Sequence, residues 1–195
     1  MPIDARTWLQ QHGEVQPPTT ANQSNVEPSD DHTDAESVAR SIALRKLTAR
    51  AHTRYELDQA LEAKNVPPGA KEAVLDRMQE VGLVDDASFA VEWVTSRQQR
   101  RHLSRRALRR ELQAKGVERS NIDRALDEVD FNSELITARD LVERKRPTMS
   151  GLPRDVQYRR LAGILGRRGF DTAVTMQVLN ELLGRPTVES HTEPE

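Results

Sequence analysis

The chain has 195 residues, of which 36% are hydrophobic and 4% aromatic, and its mean hydropathy is -0.72, which favours several small cores over one large core. It contains no cysteine, which excludes disulfides and thiolate-bound metals, and no apolar run of about 18 residues, so we expect no signal or membrane helix and a cytoplasmic location. The formal net charge of -2 conceals a basic body, because residues 36–184 hold 27 basic and 22 acidic side chains.

The first 35 residues are predicted to form a disordered acidic leader. They contain six acids, one arginine and few large apolar side chains, which is too little apolar surface to offset the entropy of ordering. Trp8 and Leu9 are either a short docking element or incidental, and a lone tryptophan in a polar leader is more often incidental. Residues 185–195 are predicted to be a flexible tail.

A phrase of the form Leu-x3-Leu-x2-basic-(Asn or Gly)-apolar occurs three times, at residues 57–66, 108–117 and 161–170. Apolar residues follow each copy at matching distances. A period near 50 residues with leucines at helical spacing indicates one helical unit copied in tandem. Since no segment alternates with period two, we predict an all-α fold of three tandem three-helix repeats in an elongated, curved array.

Residues 36–84 are predicted to be the first repeat. Apolar residues recur at three- and four-residue steps from its start, as in an amphipathic helix. Thr53 and Glu56 have the spacing of a capping box that begins the second helix. Asn65 is placed to end that helix in a left-handed conformation, and Gly82 closes the third helix.

Residues 85–131 are predicted to be the second repeat. The first helix is capped by Asp85 or Asp86, for which a metal-binding role is the weaker interpretation. The other boundary signals of this repeat are Ser104 as a cap, Gly116 as a terminator, and Ser120 with Asp123 as the start of the last helix.

Residues 132–184 are predicted to be the third repeat, beginning near Asn132 and Ser133 and interrupted at residues 147–151. Its remaining boundaries are a restart at Pro153, a terminator at Gly169, a cap at Asp171 and an end at Gly184.

The strongest functional signal is the stretch from Arg97 to Arg110, which holds seven arginines and no acid. Arg105 and Arg106 fall in the first turn of a predicted helix, where the helix dipole disfavours cations. We therefore predict that an anion completes the site, while a solvated charged face is the plainer interpretation. The residues predicted to contact a partner or DNA are Arg54, Arg97, Arg100, Arg101, Arg105, Arg106, Arg109, Arg110, Arg159, Arg160, Arg167 and Arg168.

Motifs for catalysis or cofactor binding are missing from the sequence. It has no phosphate-binding G-x-x-x-x-G-K loop, no G-x-S-x-G and no H-E-x-x-H. The five histidines are scattered without metal-ligand spacing. We therefore predict no enzymatic activity, no cofactor and no metal.

The order and spacing of several segments resemble the RecX family, bacterial regulators of the RecA recombinase. The segments are Ala51–Leu57 with Leu61 and Lys64, Gly82–Asp86 with Phe89, Ala90, Trp93, Val94 and Arg97, Leu108–Val117, and Arg167–Phe170. The resemblance covers roughly residues 38–184. The chain departs from the family at Asn65, where glycine is usual, and in the arginine-rich Gln99–Arg106 stretch.

The resemblance implies a non-enzymatic protein that binds RecA filaments on single-stranded DNA and inhibits ATP hydrolysis and strand exchange, with weaker binding to duplex DNA. Its partners would be the RecA filament and single-stranded DNA, with no membrane involved. The alternative is an independent DNA-binding regulator of helix-turn-helix type, in which the helix after Ser104 enters a major groove.

Overall fold

The computed structural model describes residues 30–184, with side chains from residue 33 onward. Within that span the chain forms nine α-helices, one 3-10 turn and no β-strand, which confirms the all-α prediction. The helices are α1 (Asp30–Ala49), α2 (Arg54–Glu62), α3 (Pro68–Glu80), α4 (Asp86–Arg101), α5 (Arg105–Ala114), α6 (Arg119–Ala125), α7 (Phe131–Lys145), α8 (Arg154–Arg167) and α9 (Thr172–Leu183), and the 3-10 turn is Arg146–Met149. No helix in this span is both long and apolar enough to cross a membrane.

The predictions for the N-terminal leader before residue 30 and for the tail after residue 184 lie outside the described residues. Helix α1 begins at Asp30, whereas the sequence pattern predicted a start near Glu36. Ala35 packs against the apolar core of α1, α2 and α3, so helical structure before Glu36 also contributes to burial.

The described chain divides into two compact units. The first unit ends at Ala90 and also includes Ala114–Asn121, and the second contains Val91–Gln113 and the chain from Ile122 onward. The middle three-helix group, α4 to α6, therefore contributes residues to both units. This division differs from the predicted repeat boundaries because the end of α5 and the start of α4 are bonded to the start of α2.

In the first unit, α1, α2 and α3 pack against one another. Their shared core is built mainly from the side chains Ala39, Ala43, Leu47, Leu57, Leu61, Val66, Ala70, Val74, Leu75 and Met78. Thr53 and Glu56 form the predicted capping box at the start of α2. Asn65 has a φ of 57°, as predicted for the residue that ends this helix.

In the second unit, α7, α8 and α9 pack against one another. Leu161, Leu165 and Val178 are fully buried in their core. Asp171 accepts a hydrogen bond from the Val174 amide, which confirms its predicted capping role.

The first helix of the third repeat begins at Phe131, close to the predicted Asn132 and Ser133, and Asp130 caps it by accepting a hydrogen bond from the Ser133 amide. One predicted cap is wrong. Helix α6 begins at Arg119, and the Ser120 hydroxyl donates to Glu118 instead of capping the helix.

The turn after each middle helix repeats with a positive φ. Gly116 follows α5 with a φ of 70°, and a Cβ atom there would overlap the side chain of Tyr55. Gly169 follows α8, and a Cβ atom there would meet the Ser104 hydroxyl at 2.5 Å. The equivalent Asn65 is exposed to solvent, so this turn accepts a side chain, which gives a physical reason for the departure noted in the sequence.

Candidate anion-binding surface

The twelve arginines predicted to contact a partner fall into two groups of six in the described chain. The guanidinium groups of the first six bond within the protein, and these are Arg54, Arg97, Arg101, Arg105, Arg109 and Arg168. The side chains of the second six are exposed and form no ion pair or hydrogen bond with described residues, and these are Arg100, Arg106, Arg110, Arg159, Arg160 and Arg167. The sequence pattern alone did not separate the two groups.

Arg105 ties the first turn of α5 to the end of α6. Its guanidinium donates to the carbonyl oxygens of Leu126 at 2.7 Å and Val129 at 2.8 Å. The carbonyls near a helix C-terminus lack partners within the helix, and a cation there is favoured. The side chain of Arg105 therefore has a structural role within the fold.

The residues equivalent to Arg105 in the other two repeats make comparable contacts. Arg54 pairs with Asp76 at 2.7 Å, and its guanidinium also contacts Gln79. The Tyr158 hydroxyl bonds to the amide oxygen of Asn180 at 3.2 Å. In the first two repeats the first residue of the middle helix bonds near the end of the third helix or just after it. In the third repeat a tyrosine of the middle helix makes this contact.

The anion predicted to complete the start of α5 is a carboxylate of the chain itself. Glu134 of α7 accepts a hydrogen bond from the backbone amide of Arg105 at 2.8 Å. Burial raises the pKa of the Glu134 carboxyl, although this hydrogen bond and the charges of Arg105 and Arg106 act in the opposite direction. The backbone amide of Arg105 thus has its acceptor within the chain, while binding of an external anion by the exposed Arg106 of the same turn stays a prediction.

The same arrangement occurs at the start of α2. Asp86 accepts a hydrogen bond from the backbone amide of Arg54 at 2.9 Å, and burial raises the pKa of its carboxyl. Asp85 caps α4 by accepting from the amides of Ala87 and Ser88. The two neighbouring aspartates thus cap different helices. Among the described residues, no group of three or more His, Asp or Glu side chains is arranged to hold a metal ion.

Arg97 belongs to a cluster that joins α4 and α5. Its guanidinium lies 3.8 Å from the ring centroid of Trp93 and donates to Glu111 at 3.0 Å. The indole of Trp93 donates to the same carboxylate at 2.8 Å. Arg101 is 4.0 Å from Glu111 and exposed, so its pairing is weak.

Arg109 pairs with Asp123 of α6 at 2.6 Å. The equivalent position in the first repeat is Asp58, which pairs with Lys71 of α3 at 2.9 Å. The middle helix supplies the acid in the first repeat and the base in the second, but in both repeats an ion pair joins the middle helix to the third helix. Arg109 therefore takes part in holding two helices of its own repeat together.

Arg168 joins the end of α8 to the start of α5. Its guanidinium donates to the carbonyl of Arg101 at 2.6 Å, and its own carbonyl accepts from the Ser104 amide at 3.1 Å. In the first unit, the Thr53 hydroxyl donates to the carbonyl of Lys115 at 2.7 Å. The end of one middle helix is thus bonded to the start of the preceding one in both units.

Comparison with known proteins gives two matching family models. Family models described as the first and second three-helix domains of RecX match residues 39–78 and 85–126. A regulatory protein RecX of Streptomyces coelicolor is 45% identical over 160 residues, which covers 82% of this chain and 85% of that protein. The chain belongs to the RecX family. It is therefore a member of a family of regulatory proteins.

Further RecX proteins support this assignment. The regulatory protein RecX of Thermobifida fusca is 44% identical over 151 residues, covering 77% of this chain and 82% of its own. The crystal structure of RecX from Lactobacillus salivarius superimposes with a TM-score of 0.67 at 17% identity, covering 77% of this chain and 97% of that one. At that identity the structural likeness concerns the fold alone.

Sequence reasoning missed three carboxylates that bond to residues of the arginine-rich stretch. Glu111, Asp123 and Glu134 all lie after its last arginine, so a search for acids inside the stretch did not find them. One signal was available, because Arg109 has an acid, Asp58, at the equivalent position of the first repeat, and that residue also pairs with the third helix of its own repeat.

Proposed function

We propose that this protein binds RecA filaments assembled on single-stranded DNA and inhibits their ATP hydrolysis and strand exchange. Membership of a regulatory family supports the proposal, together with the basic character of residues 36–184. Exposed cations on one helix face attract phosphates of DNA or carboxylates of a protein filament.

The observation that carries the proposal is the exposed pair Arg106 and Arg110 on α5. Residues four apart lie on the same face of a helix, and neither guanidinium bonds to any described residue. The equivalent residues in the first repeat are Tyr55 and Gln59, so this cationic pair belongs to the middle repeat. It remains available to a partner, whereas Arg105 and Arg109 on the same helix are engaged inside the protein.

The proposed contact residues are accordingly the six arginines that have no ion pair or hydrogen bond with the described residues. They are Arg100, Arg106, Arg110, Arg159, Arg160 and Arg167. Among the remaining predicted arginines, substitution of Arg54, Arg97, Arg105, Arg109 and Arg168 should first affect stability, whereas Arg101 is only weakly paired.

The test is a titration of this protein into RecA, ATP and single-stranded DNA, with ATP hydrolysis and strand exchange as readouts. We expect Arg106→Glu/Arg110→Glu to raise the half-inhibitory concentration about tenfold, because two surface charge contacts are replaced by repulsion. Helicity by circular dichroism should not change, since both side chains are exposed. Arg105 and Arg109 keep their charge in this variant, because reversing their charges would also lower stability and the loss of binding could not be separated from it.

The matched control is Arg45→Glu/Lys64→Glu, which changes net charge equally at two exposed positions of the first unit. It should leave the half-inhibitory concentration within about twofold of the parent, because surface charges contribute little when they are remote from a contact. Equal effects of both double variants would mean that only net charge matters. No effect of the parent protein on RecA would refute the proposed function.

Salt dependence separates the two kinds of partner. If Arg106 and Arg110 contact phosphates of single-stranded DNA, the slope of log affinity against log salt should fall by about 0.7 for each lost contact. An unchanged slope for DNA alone, with weakened inhibition of RecA, would assign these arginines to acids of RecA. Sequence-specific duplex binding without RecA would instead support the helix-turn-helix alternative.

A further inference from the structure

An apolar groove of about 240 Å³ lies in the first unit, beside α1, α3 and the turn that follows α3. Its apolar lining consists of Leu44, Val74, Met78, Val81 and Leu83. Arg40 and Arg77 also line it and are exposed. None of these residues belongs to the arginine surface described above.

We propose that this groove is a docking site for the N-terminal segment of the same chain, with the indole of Trp8 seated in it. An apolar cavity of about 150 Å³ is large enough to take benzene, so a groove of about 240 Å³ has room for an indole. Trp8 and Leu9 are adjacent large apolar residues in a segment that is otherwise mostly polar. The inference does not depend on the function proposed above.

Charge complementarity favours this occupant. Residues 1–29 contain three acids, Asp4, Glu14 and Glu27, and one arginine, Arg6, so the side chains of this segment carry a net charge of -2 (one positive, three negative). Arg40 forms no ion pair with described residues. Arg77 pairs with Glu80 at 3.0 Å, and both side chains are about two-thirds exposed, so this ion pair contributes little and is easily replaced by another.

The length of chain before α1 is sufficient for docking. Leu44 lies fourteen residues beyond Asp30 on α1, which is about 21 Å along the helix axis. The 22 residues from Trp8 to Asp30 span up to about 70 Å when extended. A tethered segment of this kind competes at an effective concentration in the millimolar range, which favours it over a free peptide.

Fluorescence of Trp8 tests the proposal in the full-length chain. The protein contains two tryptophans, so Trp93→Phe leaves Trp8 as its single indole fluorophore. We expect blue-shifted emission and weak acrylamide quenching compared with the same chain unfolded in urea. Arg40→Glu/Arg77→Glu should shift docking about tenfold toward the undocked state and increase the quenching, because two attractions become repulsions.

Two further variants separate docking from changes in folding. Asp4→Lys/Glu14→Lys alters only the N-terminal segment and should increase quenching of Trp8 in the same way. Arg45→Glu/Lys64→Glu should leave the quenching unchanged. The proposal fails if acrylamide quenches Trp8 as strongly in the folded chain as in urea. It also fails if the charge reversals leave the quenching of Trp8 unchanged. Quenching that depends on protein concentration would indicate docking onto a second copy and would overturn the proposal as well.

Discussion

Gly116→Ala is expected to lower the free energy of unfolding by about 3 kcal/mol, which combines the cost of a left-handed alanine with that of overpacking. Gly116 has a φ of 70°, and the added Cβ would overlap the Cβ and ring carbons of Tyr55. Tyr55 sits at the start of α2, whose capping residue Thr53 is bonded to Lys115. A shift of the turn to relieve the overlap would therefore strain this bond as well.

Gly82→Ala is the matched control for this substitution. Gly82 has a φ of 72°, but a Cβ atom there would meet nothing within 4 Å, so only the backbone cost of about 1–2 kcal/mol applies. Urea unfolding followed by circular dichroism measures both variants. Equal losses for the two variants would show that the contact with Tyr55 contributes nothing. In a Tyr55→Gly background the difference between them should shrink.

The local signals in the sequence predicted most of the helix boundaries. Thr53 with Glu56 and Asp171 are bonded as their spacing predicts, because a cap depends on residues only two or three positions away. The sequence predicts that the glycine after the middle helix of the second and third repeats ends that helix. The structure adds that Gly116 also accommodates Tyr55, a contact across 61 residues that no local pattern encodes.

The candidate site was only half predictable for a similar reason. Composition identified the arginine-rich stretch, and the structure shows that Arg106 and Arg110 in it are exposed, while their contact with a partner stays a prediction. The internal partners of Arg97, Arg105 and Arg109 come from other helices, at separations of 14 to 24 residues. Helix packing decides which arginines bond within the protein. A short stretch of sequence does not show how the helices pack.

Glu56→Gln is expected to lower the free energy of unfolding by about 2 kcal/mol at neutral pH. The Glu56 carboxylate accepts from the Lys115 ammonium at 2.7 Å and from Arg50 at 3.3 Å, while the Thr53 amide donates to it at 3.3 Å. Glutamine keeps an acceptor for the Thr53 amide, so the variant removes the charge and retains the capping geometry. Lys115 is largely buried and would lose its ion pair with Glu56.

The pH dependence of this effect has a definite sign. Burial acts to raise the pKa of Glu56, but hydrogen bonds from Lys115, Arg50 and the Thr53 amide outweigh it and lower the pKa from 4.5 to about 2. A carboxyl with a lowered pKa stabilises the fold above its unfolded pKa, and that stability is lost as pH falls through the folded pKa. The full shift would correspond to about 3 kcal/mol, which solvent screening of a partly exposed group reduces to about 2.

Unfolding measured across a pH series checks this prediction. The gap in stability between the parent and Glu56→Gln should be constant above about pH 6 and close as the pH falls from 4.5 toward 2. Glu62→Gln is the control, because its carboxylate is 3.7 Å from Lys71 and two-thirds exposed, and it should cost only a few tenths of a kcal/mol. A gap of the same size at every pH would mean that the loss of stability does not come from the Glu56 charge. The Glu56 charge pairs with Lys115 of the following repeat. If this charge pair stabilises the first unit, the gap in stability must close as the pH falls.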